Sequence, residues 1–271
     1  ARVAQIANLR HKNRDNFYVD ESGQIRLTAK LKRDILKNNL FGVDIDPQAV
    51  EVTRFSLSLK ALEDLREGEL TEERTLFHQT VLPDLSQNIK NGNSLIGMDY
   101  FGLFQPTAEE LKEIKPFNWK IEFKEIMENG GFDVVMGNPP YGFHQIHSDN
   151  VKPYFKNKFL SAFGSYENYF LFYEQSLSLL KNKCLHGFIV PVTWLTIPSA
   201  KALREYILQN YHIKEVLWLS AQVFENAQVN TLIAVTQKET PSETLVKICD
   251  TSDNSIKIKE ERVYQQKQFI E

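Results

Sequence analysis

From residue 40 onward the chain alternates two kinds of segment, and this alternation narrows its fold more than any other feature. Runs rich in branched apolar residues at 40–45, 89–95, 132–136, 187–192, 213–219 and 231–236 have the length of strands. Residues 169–180 and 198–209 instead repeat their apolar positions at helical spacing. Strands alternating with helices predict an α/β domain with a parallel sheet covered by helices. Residues 40–45 read as a strand, Asp46 as a helix cap and Pro47 as the first helical residue, with Val50, Arg54, Leu57 and Ala61 on one face of the helix that follows. Residues 98–130 and 142–166 show no clear period, and irregular stretches of that length in an α/β domain tend to be functional or mobile. Residues 239–243 read as a linker and 244–271 as polar, charged material.

Composition enters through what it excludes. With 271 residues, 42% of them hydrophobic, the chain can bury one large core. Cys184 and Cys249 stand far apart with no Cys-x-x-Cys step, so neither a disulfide framework nor a metal site is expected. His144-x-x-His147 has no third ligand at close spacing. No apolar run approaches the ~18 residues of a membrane span, and the first residues lack a signal-peptide pattern, so the expected compartment is the cytoplasm, with no membrane partner. A net charge of -3 argues against coating nucleic acid by bulk electrostatics while leaving room for a local basic face. Lys152, Lys156 and Lys158, interleaved with Tyr154 and Phe155, have the composition of a loop that meets phosphates and bases, or of a solvated basic loop.

The chemistry is concentrated where the apolar run Phe132-Asp-Val-Val-Met-Gly meets Asn138-Pro139-Pro140-Tyr141. At ordinary composition these four residues in a row arise by chance on the order of once in a thousand chains of this size. They also fall at the C-terminal end of a strand, where open α/β sheets bind ligands. Such a turn suits attack by a delocalised amine, such as that of adenine, on a sulfonium methyl group. The amine's lone pair is drawn into the ring, and two acceptors on its N–H bonds free it by drawing the nitrogen toward a tetrahedral shape. Asn138 offers a side-chain oxygen and Pro139 a main-chain carbonyl, which consecutive prolines aim in advance. Tyr141 offers a face on which an extracted base can stack. A rigid turn with a packing tyrosine is the plainer alternative.

Across residues 40–238 the order of segments resembles the gamma class of N6-adenine DNA methyltransferases, in particular the methylase part of single-chain restriction-modification enzymes. The resemblance is carried by Leu40-Phe-Gly-Val-Asp-Ile-Asp-Pro47, Asn91-Gly-Asn-Ser-Leu-Ile-Gly97, the Asn-Pro-Pro-Tyr segment, Gly187-Phe-Ile-Val-Pro-Val-Thr-Trp194 and Val223-Phe-Glu-Asn-Ala227. It implies a Rossmann-like sheet with helices on both faces, S-adenosylmethionine as cofactor and double-stranded DNA as partner. It implies that Asp44 accepts hydrogen bonds from the cofactor's ribose, and that Asn93 stands near its adenine where the family usually has aspartate. It further implies that Phe224 stacks on the flipped base opposite Tyr141.

The chain departs from the family in having no Gly-x-Gly step, the glycine-rich loop that follows the family's first strand. Three expectations follow: the sheet lacks that first strand and loop, the chain by itself binds S-adenosylmethionine poorly, and an exposed sheet edge favours self-association. Residues 3–9 would then be the helix after the loop. The expected division is a methyltransferase catalytic domain over residues 1–240 and a linker, or the start of a target-recognition region, over 241–271. A methyltransferase for a protein glutamine amide and a non-catalytic DNA-binding remnant remain as alternatives.

Overall fold

Among the described residues, strand pairing forms three sheets: an antiparallel pair, a parallel pair and a six-stranded sheet. The computed structural model describes residues 16–19, 22–63, 82–142, 149–219, 229–250 and 257–269. It divides into two compact units, Ala1–Phe117 and Asn118–Glu271.

In the first unit, β1 (Phe17–Val19) and β2 (Ile25–Leu27) form a hairpin, and α1 (Ala29–Asn39) follows, its first turn capped by the Thr28 hydroxyl. Then come β3 (Gly42–Asp44), α2 (Pro47–Leu62) and β4 (Ile89–Asn91), with Gly42 opposite Ile89 and Asp44 opposite Asn91 in a parallel pair. The start of α2 follows the sequence reading. The Asp46 carboxylate accepts from the Gln48 N–H at 2.9 Å and Pro47 holds the first helical position, where a missing N–H costs nothing. Val50 and Ala61 are buried, but Arg54 has a more specific task than lining the face. Its Nε and Nη2 donate to the Ile89 carbonyl at 2.9 and 2.6 Å, tying the helix to β4. Buried Asn88 likewise donates to the Leu36, Lys37 and Leu40 carbonyls, closing the end of α1 onto the start of β3.

Residues 89–95 were expected as one strand, yet pairing stops at Asn91. The reason is Phe117: a Cβ on Gly92 would stand 2.6 Å from its ring, so the backbone turns beneath the ring there. Leu95 and Ile96 are then fully buried as a loop. Beyond them α3 (Ala108–Ile114) is closed by a capping box between Thr107 and Glu110.

The second unit runs α4 (Trp119–Glu122), α5 (Lys124–Glu128), β5 (Phe132–Gly137), α6 (Lys152–Lys158), α7 (Asn168–Ser178), β6 (Leu180–Pro191), α8 (Lys201–Asn210), β7 (His212–Leu219), β8 (Thr231–Gln237), β9 (Glu243–Asp250) and β10 (Lys257–Gln265). Its sheet has the order β10-β9-β7-β8-β6-β5. β5 and β6 are parallel, as are β7 and β9, whereas β8 runs antiparallel to both β6 and β7. The sheet is therefore mixed rather than parallel. Only residues 220–230 join β7 to β8, shorter than the dozen or more that a parallel crossover needs.

His186, Phe188 and Val190 of β6 all face the core. Tyr169, Phe170, Tyr173 and Leu177 of α7 and Leu203 and Ile207 of α8 pack in the same core. Each fully buried side chain of this kind contributes ~1.5–3 kcal/mol. His186 places Nε2 2.8 Å from the Ser176 hydroxyl, and burial pushes its pKa down to about 3. Because that hydroxyl donates to the Tyr173 carbonyl, it accepts from the ring.

Residues 244–271, read from the sequence as polar, charged material, include strand β10 and most of β9. β9 pairs with β7, Cys249 is fully buried, and the Thr244 hydroxyl donates to the Ile213 carbonyl at 2.7 Å. Gln266 accepts from the Ile213 N–H at 2.8 Å and donates to the Tyr211 carbonyl at 2.7 Å. β10 is an edge strand bearing Lys257, Lys259, Glu260, Glu261 and Arg262, and charge of this kind protects an edge while hiding the strand pattern. The opposite edge, β5, instead exposes Val134 and Met136. Among the described residues no helix is long and apolar enough to cross a membrane, and no group of three or more His, Cys, Asp or Glu residues is placed to hold a metal.

Candidate active site

β5 delivers its chain directly into the proline turn. The strand ends with Gly137 opposite Phe188 of β6, and a Cβ on Gly137 would lie 3.3 Å from the Phe188 ring. Close packing beneath the strand end thus fixes where Asn138 begins. Asn138 and Pro140 are exposed, Pro139 is buried and Tyr141 is half-buried.

The turn is pinned at its far end. The Tyr141 hydroxyl donates to the Ile189 carbonyl at 3.0 Å, and its ring meets Tyr169 edge-on with centroids 6.0 Å apart. Burial pushes the Tyr141 pKa up to about 12, so the phenol stays protonated near neutrality. Gly142 has φ +85, a left-handed conformation that glycine adopts without strain. Its N–H donates to Glu167 at 3.3 Å and its carbonyl accepts from the Asn168 N–H at 3.5 Å. Burial raises the Glu167 pKa, opposed by the Gly142 N–H.

These anchors escaped the sequence reading. Glu167 and Asn168 open α7, and their only sequence signal is a polar pair before the helix period. The Ile189 carbonyl carries no side-chain signal at all.

In the first unit, Asp44 and Asn93 lie at neighbouring strand ends. Asp44 is exposed and its Oδ1 accepts from the Asp46 N–H at 2.8 Å. Asn91 donates from its amide to the Asp44 and Ile45 carbonyls at 2.9 and 3.0 Å, and Lys115 donates to the Ile45 carbonyl at 3.0 Å. Asn93 is buried, its N–H donating to the Lys115 carbonyl at 2.7 Å and its side-chain oxygen accepting from the Leu95 N–H at 3.1 Å.

Asn138, Pro139 and Tyr141 belong to the second unit and Asp44 and Asn93 to the first. Lys152, Lys156 and Lys158 are all on α6. Phe224, His144, His147 and residues 3–9 lie outside the described residues.

The type II restriction enzyme and methyltransferase RM.Eco57I of Escherichia coli is 33% identical over 220 residues, covering 79% of this chain and 20% of that protein. The type II methyltransferase M.TthHB8I of Thermus thermophilus is 32% identical over 109 residues, covering 38% of this chain and 25% of that protein. The chain thus spans about a fifth to a quarter of the length of these relatives. Among solved structures, a nuclease-deletion mutant of the type ISP restriction-modification enzyme LlaGI, determined with a DNA substrate mimic, shares the fold with a TM-score of 0.51 at 13% identity. That match covers 83% of this chain and 19% of that one. The model of the Eco57I restriction-modification methylase family matches residues 38–224, a span that includes both strand-end turns, and the chain belongs to that family.

Proposed function

We propose that the protein containing this chain transfers a methyl group from S-adenosylmethionine to the N6 amine of an adenine flipped out of double-stranded DNA, within a restriction-modification or phage-defence system. The observation that carries the reading is the Asn138-Pro139-Pro140-Tyr141 turn, held rigid at Tyr141 and Gly142 while Asn138 is exposed at the strand end. Asn138 and the Pro139 carbonyl accept the two amine hydrogens, so the nitrogen's lone pair is freed as the methyl group arrives. Because the acceptors are fixed beforehand, little reorganisation remains for the transition state. Tyr141 and Phe224 supply the two faces that replace the stacking a base loses on leaving the duplex.

The bound cofactor supplies the electrophilic methyl group. Asp44 fits its ribose, because the exposed carboxylate oxygen can accept from vicinal hydroxyls while the other is held by Asp46. Asn93 addresses the adenine end. The methionine end needs oriented backbone N–H groups, and with no Gly-x-Gly step the chain by itself is expected to bind the cofactor weakly. The sheet from β5 to β10 forms the catalytic body, and sequence recognition belongs to a region outside it. The exposed β5 edge is where the isolated chain would pair with a second copy.

The complete polypeptide, given cofactor with a tritiated methyl group together with duplex DNA and protein acceptors, decides among the readings. Label in DNA supports this one. Label in protein favours a glutamine methyltransferase, and label in neither favours a non-catalytic remnant.

A further inference from the structure

We propose that the connection from α6 to α7 is a second DNA-docking element, in which Lys156 and Lys158 hold phosphates while Leu160 and Phe163 press on the nucleotides beside the target. It rests on the DNA reading above and adds a surface that the proline turn does not supply.

The connection is a built structure. Glu174 of α7, itself buried, accepts from the backbone N–H groups of Leu160 and Ser161 at 3.0 and 2.8 Å. Phe155, Phe159, Ser161 and Ala162 are all buried, so the segment is packed from beneath. On this fixed backbone Leu160 and Phe163 point outward, 68% and 77% exposed. Leaving two large apolar groups in water on a rigid element forgoes burial that the sequence could have obtained by turning them inward, and this marks a contact surface.

Charge identifies the partner. Lys152, Lys156 and Lys158 fall within seven residues, and Asp149 is the only acid from residue 149 to 166, in a chain whose net charge is -3. Lys158 is held in place: its Nζ donates to the Tyr154 hydroxyl at 2.8 Å and lies 5.1 and 5.6 Å from the Tyr154 and Phe159 ring centres. Lys156, Lys158, Leu160 and Phe163 line one groove of about 420 Å³. A held cation, Lys158, with Lys156 in the same groove and apolar groups facing outward, matches a polyanion with flat apolar faces behind its charges, which is the chemistry of DNA. A small anion would leave Phe163 without a role. The groove is also close to the turn along the chain: Gly164 precedes by three residues, at most ~11 Å, the Glu167 that bonds Gly142.

The test uses the complete protein, with Phe163→Ala and the pair Lys156→Ala and Lys158→Ala, measuring binding to duplexes with and without the target across a salt series. The lysine pair should weaken both duplexes alike and reduce the salt slope by about 1.8. Phe163→Ala should leave the slope unchanged and weaken the target duplex about tenfold. Thermal melting should not move, since all three side chains are on the surface. Unchanged affinity and turnover in Phe163→Ala, with wild type binding and methylating DNA, overturns this proposal alone. Loss of self-association in that variant with DNA binding intact also overturns it, because the patch is then a protein interface. A wild-type protein that binds no DNA overturns both this proposal and the reading beneath it.

Discussion

The turn after β3 and the turn after β5 both follow a strand with a parallel neighbour, yet they dispose of their polar groups in opposite ways. After β3 the backbone is consumed: the Asp44 carbonyl accepts from Gly92 and Asn91, and the Ile45 carbonyl from Asn91 and Lys115. The Asp44 carboxylate stays exposed, with one oxygen bonded to the Asp46 N–H. After β5 the internal bonds collect at the far end, on Tyr141 and Gly142. Among the described residues no backbone hydrogen bond goes to the Pro139 carbonyl, and Asn138 is exposed. On the proposed function, the first turn would hold a hydroxyl-bearing ligand and the second would keep two acceptors for a reacting group. A satisfied backbone gives rigidity with one point of contact, whereas a turn clamped only at its end keeps its acceptors rigid and unused.

The comparison breaks most visibly at Asn138. In the complete protein, Asn138→Ala should slow single-turnover methyl transfer by about two to three orders of magnitude with DNA affinity largely unchanged, because an acceptor used in the transition state is lost. Asp44→Ala should act on binding instead, raising the KM for cofactor about tenfold while kcat holds, as read from steady-state titrations. If both variants change the same parameter, the two turns do not have separate roles.

Arg54→Met tests the support of the first turn. It leaves the Ile89 carbonyl without its charged donor and should cost about 2 kcal/mol in urea unfolding. Acid tests the second unit. His186 has a folded-state pKa of about 3, below the ordinary 6.5, so the unfolded chain binds the extra proton between those values. Stability is full above ~6.5 and falls by about 1.4 kcal/mol per pH unit as pH drops toward 3. His186→Gln should flatten that slope in urea midpoints taken at pH 7 and 5. The smallest effect belongs to Tyr141→Phe, which keeps the stacking face and loses one bond, about 1 kcal/mol of stability, with turnover changed only a few-fold.

What the sequence reveals follows the range of the interaction. The β3 strand, the Asp46 cap, Pro47 and the passage from β5 into Asn138 are local, and the chain states them in consecutive residues. α3 is missed although its capping box is written as Thr107-x-x-Glu110, because its seven residues are too few for a clear period. β10 is missed because its charges cover the strand pattern, and the mixed order of the sheet because β8 takes its direction from both neighbours. The anchors of the proline turn are least legible. Glu167 and the Ile189 carbonyl are 25 and 48 residues from the groups they bond, and one of them is backbone.

The proposed role of the proline turn is to present its acceptors to the amine of adenine. The most direct test is to digest to nucleosides the duplex DNA labelled by the complete protein and separate the products. The account predicts that all label elutes as N6-methyladenine nucleoside, and that Asn138→Ala removes that peak. Label on cytosine, or an undiminished peak in the variant, would contradict it.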